Sequence, residues 1–252
     1  MCRLLGWATR VPTSLLDLLG AADLDEFTEL SCKHGDGWGV AHATASGVQV
    51  HKRADAARMS DDFADQARNH SSDLGMAHLR WATLGLDVRR ENTHPFTDGR
   101  LAFGHNGSIL PPESLDRLIS RKVRRQRRGD TDSERYFLAV LSRLRDGGTP
   151  RDALRETVAE IAATGDSTSL NCLLMTPDEL IAVSRFDPAA HSEDEGPDYF
   201  ELRYRVDPDA VVVASSGWGR DWSELRNGDM LVVRRSTLEI SVEPAGDLVP
   251  TA

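Results

Sequence analysis

Apolar and polar positions change rhythm three times along the chain. Over residues 3–8, 37–43, 48–53, 75–81 and 101–105, β-branched, aromatic and alternating residues sit between glycine-bearing turns, which predicts strands. Between about 112 and 163 the spacing becomes three-and-four: Leu115, Leu118 and Ile119, then Tyr136, Phe137, Val140, Leu141 and Leu144, with the same period over 150–161. That period predicts a helical layer. Strands return at 170–175, 180–185, 199–206, 210–215, 229–234 and 238–242, parted by the turn signals Pro177-Asp178, Asp207-Pro208 and Asn227-Gly228. Two groups of strands flank one group of helices, with no Pro/Gly/Ser linker and no fixed repeat. Residues 1–252 are therefore read as one α+β domain of sheets packed on each other with helices outside.

Charge narrows the partners. Forty acidic and thirty basic residues give a net charge of −10, which repels phosphate polymers and anionic membranes, so neither nucleic acid nor membrane is an expected partner. The basic run at 120–128, SRKVRRQRR, reads as a solvated loop or helix end, with a docking patch for an acidic partner or RNA as the competing reading. The polar stretch 187–198 has too few apolar residues to pack and reads as an exposed loop. Cys2, Cys32 and Cys172 are odd in number, with no C-x-x-C spacing and no nearby His-x-His pattern. This argues against a disulfide framework and against a zinc site, and fits reducing cytoplasm. No apolar stretch approaches the roughly 18 residues of a membrane span, and no signal-like segment opens the chain.

The position of one cysteine then changes the picture. Cys2 stands directly behind Met1, and removal of that methionine would leave a free α-amine beside the thiol. An α-amine has a pKa of about 7.7–8.0 and a thiol about 8.5, so the amine can take the thiol proton near neutral pH. One residue would supply both nucleophile and base. The competing reading is a small buried apolar residue.

An amide hydrolase built on that thiol needs an oxyanion hole, a cation for any substrate carboxylate and an anion for any substrate ammonium. Following the apolar strand Leu101-Ala102-Phe103, the segment Gly104-His105-Asn106-Gly107-Ser108 offers the Asn106 side-chain amide and the Gly107 N–H as oxyanion donors. An Asn-Gly type I′ turn is the structural alternative. In the alternating segment 77–83, His78, Arg80 and Ala82 share one face, opposite Leu79 and Trp81. Arg80 can grip a carboxylate through two parallel hydrogen bonds, and Thr83 can add a hydroxyl. Downstream, Thr131-x-x-Glu134 is a capping box opening a helix through Leu144, and Asp132 falls in its first turn. Helix initiation alone accounts for that motif; the functional reading adds Asp132 as the anchor of a substrate ammonium.

Taken in order, Met1-Cys2, Asp36-Gly37-Trp38-Gly39, His78-x-Arg80-Trp81-Ala82-Thr83, Asn92-Thr93-His94-Pro95-Phe96, His105-Asn106-Gly107 and Thr131-Asp132-Ser133-Glu134 resemble the class II glutamine amidotransferases, the N-terminal-nucleophile glutaminase domains. These blocks span about the first 135 residues, and Ala214-Ser215-Ser216 with Trp222-Ser223-Glu224-Leu225 resembles the stand-alone branch of that family. The resemblance implies a four-layer αββα sandwich of N-terminal-nucleophile hydrolase type. It implies Cys2 as nucleophile with its own amine as base, and Asn106 and Gly107 as the oxyanion hole. Arg80 and Thr83 would hold a glutamine α-carboxylate, with Asp132 and the Gly107 carbonyl on its α-ammonium, while His94 and Trp81 would shape the pocket. His78-Leu79 departs from the commoner His-Thr on the face opposite Arg80.

The implied reaction is thiolate attack on a γ-amide, loss of ammonia or an amine from a γ-glutamyl thioester, and hydrolysis to glutamate. It calls for no metal or redox cofactor. Glutamine is the default substrate, its ammonia released free or to a separate synthetase. A larger γ-glutamyl conjugate, as in the ergothioneine pathway, is the alternative. From a different class comes a non-catalytic glutamine-binding or assembly subunit that keeps the pocket.

Overall fold

Alternation at the start of the chain sets the order of the layers. In β1 (Arg3–Thr13) Leu4 and Ala8 enter one apolar cluster while Leu5 and Trp7 enter another, so both faces of this strand are covered. Each face needs its own packing partner, and the computed structural model supplies a second sheet on one side and helices on the other. It describes residues 2–83, 85–190, 196 and 198–246. The expectations on Met1 and on residues 191–195 and 197 of the polar stretch lie outside that set.

The first sheet contains β1, β2 (Trp38–Thr44), β3 (Gly47–Arg53) and β4 (Ser72–Leu79). The second contains β5 (Phe96–Thr97), β6 (Ala102–Asn106), β7 (Asn171–Met175) and β8 (Glu179–Val183). Late strands complete both: β9 (Leu202–Asp207), β10 (Ala210–Ser215) and β11 (Ser223–Leu225) join the first, β12 (Asp229–Arg234) and β13 (Ile240–Pro244) the second. The orders are β11-β9-β10-β1-β4-β2-β3 and β13-β12-β8-β7-β6-β5. Between the sheets lie Leu4, Leu74, Met76, Leu173, Leu180 and Val213, among others. Outside the first sheet, α1 (Leu15–Glu29) and α2 (Asp61–Asn69) bury Leu15, Phe27 and Phe63 against Trp7 and Trp38. Outside the second, α4 (Asp132–Arg145) and α5 (Pro150–Ala162) bury Tyr136, Phe137, Leu154 and Val158 against Phe103, Leu174 and Ile181. The result is the expected αββα sandwich.

Several elements depart from the periodicity. Neither α1 nor α2 is predicted by it. In α1 the chain kinks at Gly20, whose φ of 77° and ψ of 163° break the helix, so Leu15 and Leu19 fall out of step with Leu24 and Phe27. In α2 the buried residues Phe63, Gln66 and Ala67 follow helical spacing, but Phe63 is the one large apolar side chain among them in a nine-residue polar segment. Residues 199–201, read as strand, form a turn in which Tyr199 and Phe200 are buried, and β9 starts at Leu202. The basic run forms the short helix α3 (Arg121–Arg124) with exposed flanks, in line with a solvated helix end.

Tight contacts fix the interstrand register. Gly75 lies opposite Trp7, and a Cβ added there would stand 2.2 Å from Trp7 Cζ2. Gly75→Ala should therefore force the indole to shift, at a cost of about 1–3 kcal/mol typical of overpacking. Urea denaturation should show a lower midpoint with an unchanged slope. An unaltered midpoint would mean that the indole relaxes without penalty.

Candidate active site

Cys2 is the residue immediately before the central strand of the first sheet, and register carries it to its neighbours. Arg3 pairs with Leu79 and Leu4 with His78, while the Leu4 N–H donates to Ser215 Oγ at 3.0 Å. The thiol thus meets the end of β4, where Sγ donates to the Trp81 carbonyl at 3.8 Å. Only 7% of the residue is exposed. Burial pushes the thiol up from its ordinary value of 9.0, with Asp132 adding in the same direction, while the Trp81 contact and the Arg80 charge pull it back.

Arg80 leaves β4 into a backbone clasp. Its N–H donates to Gly37 O at 2.7 Å, its carbonyl accepts from Asp36 N at 3.0 Å, and Asp36 Oδ2 accepts the Ala82 N–H at 2.8 Å. Arg80 is 2% exposed, and among the described residues its guanidinium reaches two backbone carbonyls, Asp36 O and Asp87 O, both at 3.4 Å. Among the described residues no carboxylate lies within ion-pair distance of it. Burial lowers its pKa. It is a buried cation awaiting an anion.

Asp132 is the complementary case. At the N-terminus of α4, Thr131 Oγ1 accepts the Glu134 N–H at 3.0 Å, giving half of the expected capping box. The Glu134 carboxylate instead accepts from Arg128 N and Gly129 N, at 2.8 and 2.7 Å, closing the loop before the helix. Asp132 accepts the Ile109 N–H on Oδ2 at 2.7 Å and the Ser133 N–H on Oδ1 at 2.8 Å. It is buried, and no Lys or Arg among the described residues pairs with it. Both charges act on the Cys2 thiol, with opposite signs.

From the second sheet, β6 ends at Asn106, fully buried, with Nδ2 and Oδ1 both lacking a hydrogen-bond partner among the described residues. The type I′ alternative does not hold, because neither Asn106 nor Gly107 has the positive φ that such a turn requires. Gly107 serves close approach instead: a Cβ there would stand 1.9 Å from Ser169 O and 2.9 Å from His105 Nε2. His105 is held between Ser133 Oγ and Ser169 O, each at 2.9 Å, and its carbonyl accepts from His78 Nε2 at 3.1 Å across the gap between the sheets.

The remaining expected residues divide. His94 joins the buried group, stacked on His78 with ring centroids 4.0 Å apart, and Lys52 Nζ donates to the flanking Thr93 and Pro95 carbonyls. Trp81 is half-buried, with its ring 5.7 Å from that of His34 and the Lys33 ammonium 4.8 Å above it. Thr83 lies on the exposed loop beyond and does not join the buried group. Asp36, His105, Ser133 and Lys52 had no assigned part in the sequence reading. The parity that puts His78 with Arg80 was the available signal for a buried polar face. Far apart in sequence, Cys2, His78 and His94 bring one ligand atom each within 4.8 Å of one another.

A family model described as "Glutamine amidotransferases class-II" matches residues 1–248. The gamma-glutamyl-hercynylcysteine sulfoxide hydrolase of Mycolicibacterium smegmatis is 27% identical over 245 residues, covering 93% of this chain and 96% of that protein. Among solved structures, a glutamine aminotransferase class-II domain protein from Silicibacter pomeroyi superposes with a TM-score of 0.69 at 22% identity, covering 98% of this chain and all of that one. Glutamine phosphoribosylpyrophosphate amidotransferase from Bacillus subtilis gives 0.64 at 18% identity, covering 97% of this chain and 49% of that one. At these identities the solved structures speak to the fold.

The buried imidazoles make stability depend on acid. Burial lowers His42 to about 4 and His78 to about 3, and lowers His94 and His105 as well. An unfolded histidine titrates near 6.5, so below that pH the unfolded chain takes up protons that the folded one refuses. Their contribution is complete above about pH 6.5 and declines as pH falls toward the folded values. Urea midpoints should therefore drop between about pH 7.5 and about pH 5. A flat profile across that interval would contradict neutral buried rings.

Proposed function

Because the chain belongs to the class II glutamine amidotransferases, whose family model spans residues 1–248, we propose that it hydrolyses a γ-glutamyl amide, glutamine by default, through a thioester on Cys2. The observation that carries this reading is the pair of buried, unpaired opposite charges, Arg80 and Asp132, flanking one thiol. An α-amino-acid head carries both of the complementary charges. Such a zwitterion would give each ion the partner the protein withholds.

In this reading the α-carboxylate lies on Arg80, with the Thr83 hydroxyl brought in from its loop, and the α-ammonium on Asp132 and the Gly107 carbonyl. The side chain then delivers its γ-carbonyl to Cys2. With Met1 removed, the α-amine of Cys2 takes the thiol proton as sulfur attacks the carbonyl carbon. Asn106 Nδ2 and the Gly107 N–H receive the oxyanion, which gives the buried Nδ2, without a partner among the described residues, an acceptor. Collapse expels ammonia or an amine, protonated by the same ammonium, and the amine next deprotonates a water that splits the thioester to glutamate. Trp81 and His94 shape the pocket wall. Residues 1–252 act as one domain, and the three free cysteines agree with a reducing, cytoplasmic setting. No helix among the described residues is long and apolar enough to cross a membrane.

A γ-glutamyl conjugate is the second reading, favoured by end-to-end similarity to the mycobacterial hydrolase. A panel of glutamine and larger γ-glutamyl amides separates the two, since release from a conjugate alone would displace glutamine as substrate. Labelling with 6-diazo-5-oxo-norleucine should place one adduct on Cys2 by peptide mapping. Cys2→Ala should abolish turnover, and Asn106→Ala should lower kcat by about 10²–10³, as for other oxyanion donors. Full activity in the Cys2 variant, or adduct on Cys32 or Cys172, would remove the proposed nucleophile.

A further inference from the structure

The buried group beside Arg80 has a second chemical capacity. Cys2, His78 and His94 are 7%, 0% and 3% exposed, and one ligand atom from each lies within 4.8 Å of the other two. His78 Nδ1 and both nitrogens of His94 have no hydrogen-bond partner among the described residues. The His105 carbonyl can only accept, so His78 Nε2 carries the hydrogen and Nδ1 presents its lone pair. A ring anchored through one N–H to a backbone carbonyl while the other nitrogen stands free is how metal-binding histidines are oriented.

We propose that Cys2, His78 and His94 form a site for a soft divalent cation, zinc above all, whose occupancy blocks the nucleophile. The site belongs to this chain whatever its substrate; the blocking effect rests on Cys2 being the nucleophile of the proposed reaction. One sulfur and two imidazole nitrogens select zinc over calcium or magnesium, which take oxygen. In a tetrahedral zinc site, with bonds of about 2.3 Å to sulfur and about 2.0–2.1 Å to nitrogen, ligand atoms stand roughly 3.3–3.6 Å apart. The cluster must close by roughly 1 Å, which side-chain rotation can provide. On binding, the Cys2 thiol gives its proton to solvent and the thiolate takes the metal, with no change of oxidation state. Both imidazoles are already neutral.

The surrounding charge sets the strength. Arg80 and Lys52 both act on the histidines and oppose a cation, whereas the thiolate and Asp132 favour one. Three ligands opposed by two cations make an open, reversible site rather than a closed structural one. Removal of Met1 would add the Cys2 α-amine, which with its own sulfur closes a five-membered chelate and supplies the fourth position. Metal and substrate would then compete for the same sulfur.

Cobalt(II) makes the test visible without reference to turnover. Titrating the full chain with cobalt under thiol-free conditions should produce a thiolate-to-cobalt charge-transfer band saturating at one equivalent and erased by zinc. Cys2→Ser should lose the band and Cys32→Ser should keep it. Even outer-shell partners of a metal cost about 10- to 100-fold in affinity, so His94→Gln and His78→Gln should each weaken binding by at least about a hundredfold. Circular dichroism confirms that each variant is folded; if one is not, the other ring variant decides. Absence of the band, its survival in Cys2→Ser, or its loss in Cys32→Ser overturns the site. Zinc should also inhibit γ-glutamyl amide hydrolysis, with recovery on chelation. Cobalt binding at Cys2 in a protein without hydrolase activity would sink the enzymatic reading alone, and full activity without binding would sink this one alone.

Discussion

Everything around the thiol is organised by two ions that the fold buries and declines to neutralise. Among the described residues Arg80, 2% exposed, has only weak carbonyl contacts and Asp132 has no cation, and leaving a buried ion unpaired costs several kcal/mol relative to a paired state. The simplest relief would be for Arg80 and Asp132 to meet. The backbone prevents it, because Arg80 is clasped by the 36–37 turn of the first sheet while Asp132 is held by Ile109 N and Ser133 N beside the second. Each ion is fixed by the layer it belongs to. A folded protein keeps such a strain only where surrounding structure over-determines it, and sites of binding are where that occurs.

The sandwich supplies the over-determination. Cys2 precedes a strand hydrogen-bonded on both sides, and Asn106 ends a strand of the facing sheet, so thiol and amide are set by two ladders rather than by loops. Small residues let the ladders approach: a Cβ on Gly104 would touch Leu4 Cδ2 at 3.0 Å, and one on Gly6 would stand equally near Leu173 Cδ1. The hydrogen bond from His78 to the His105 carbonyl then locks the sheets together one residue before Asn106. Donors positioned this way need little rearrangement when charge develops on a substrate oxygen.

Much of this was legible in the residues. The long strands and α4 announce themselves by period, and Asp132 opens the helix expected of it, whereas Arg80 falls just beyond the strand expected to hold it and Asn106 just inside the strand it was expected to follow. What failed to show was local structure made by interruption, as at the Gly20 kink, or by tertiary burial of a polar helix such as α2. The roles of glycines also escaped: Asn106-Gly107 has the letters of a hairpin turn, yet Gly107 is required by the Ser169 carbonyl that presses on it. The cysteine–histidine cluster was invisible for a different reason. Its members stand at positions 2, 78 and 94, and only the pairing of β1 with β4 and the fold-back of the 92–95 segment bring them together.

That cluster sharpens the question of which group activates sulfur. Two imidazoles close to a cysteine suggest a thiolate–imidazolium pair, but burial has removed their basicity: His78 titrates at about 3 and His94 is also lowered. Proton transfer from the thiol, itself raised by burial, to either ring therefore runs uphill. An α-amine, ordinarily about 7.7–8.0, starts from a higher basicity than an imidazole near 6.5, so equal burial leaves it the stronger base. The same dehydration that disqualifies the imidazoles as bases leaves their lone pairs free. In the proposed reaction the thiol is therefore matched to its own amino group, and the histidines beside it are left to the proposed roles of wall and ligand.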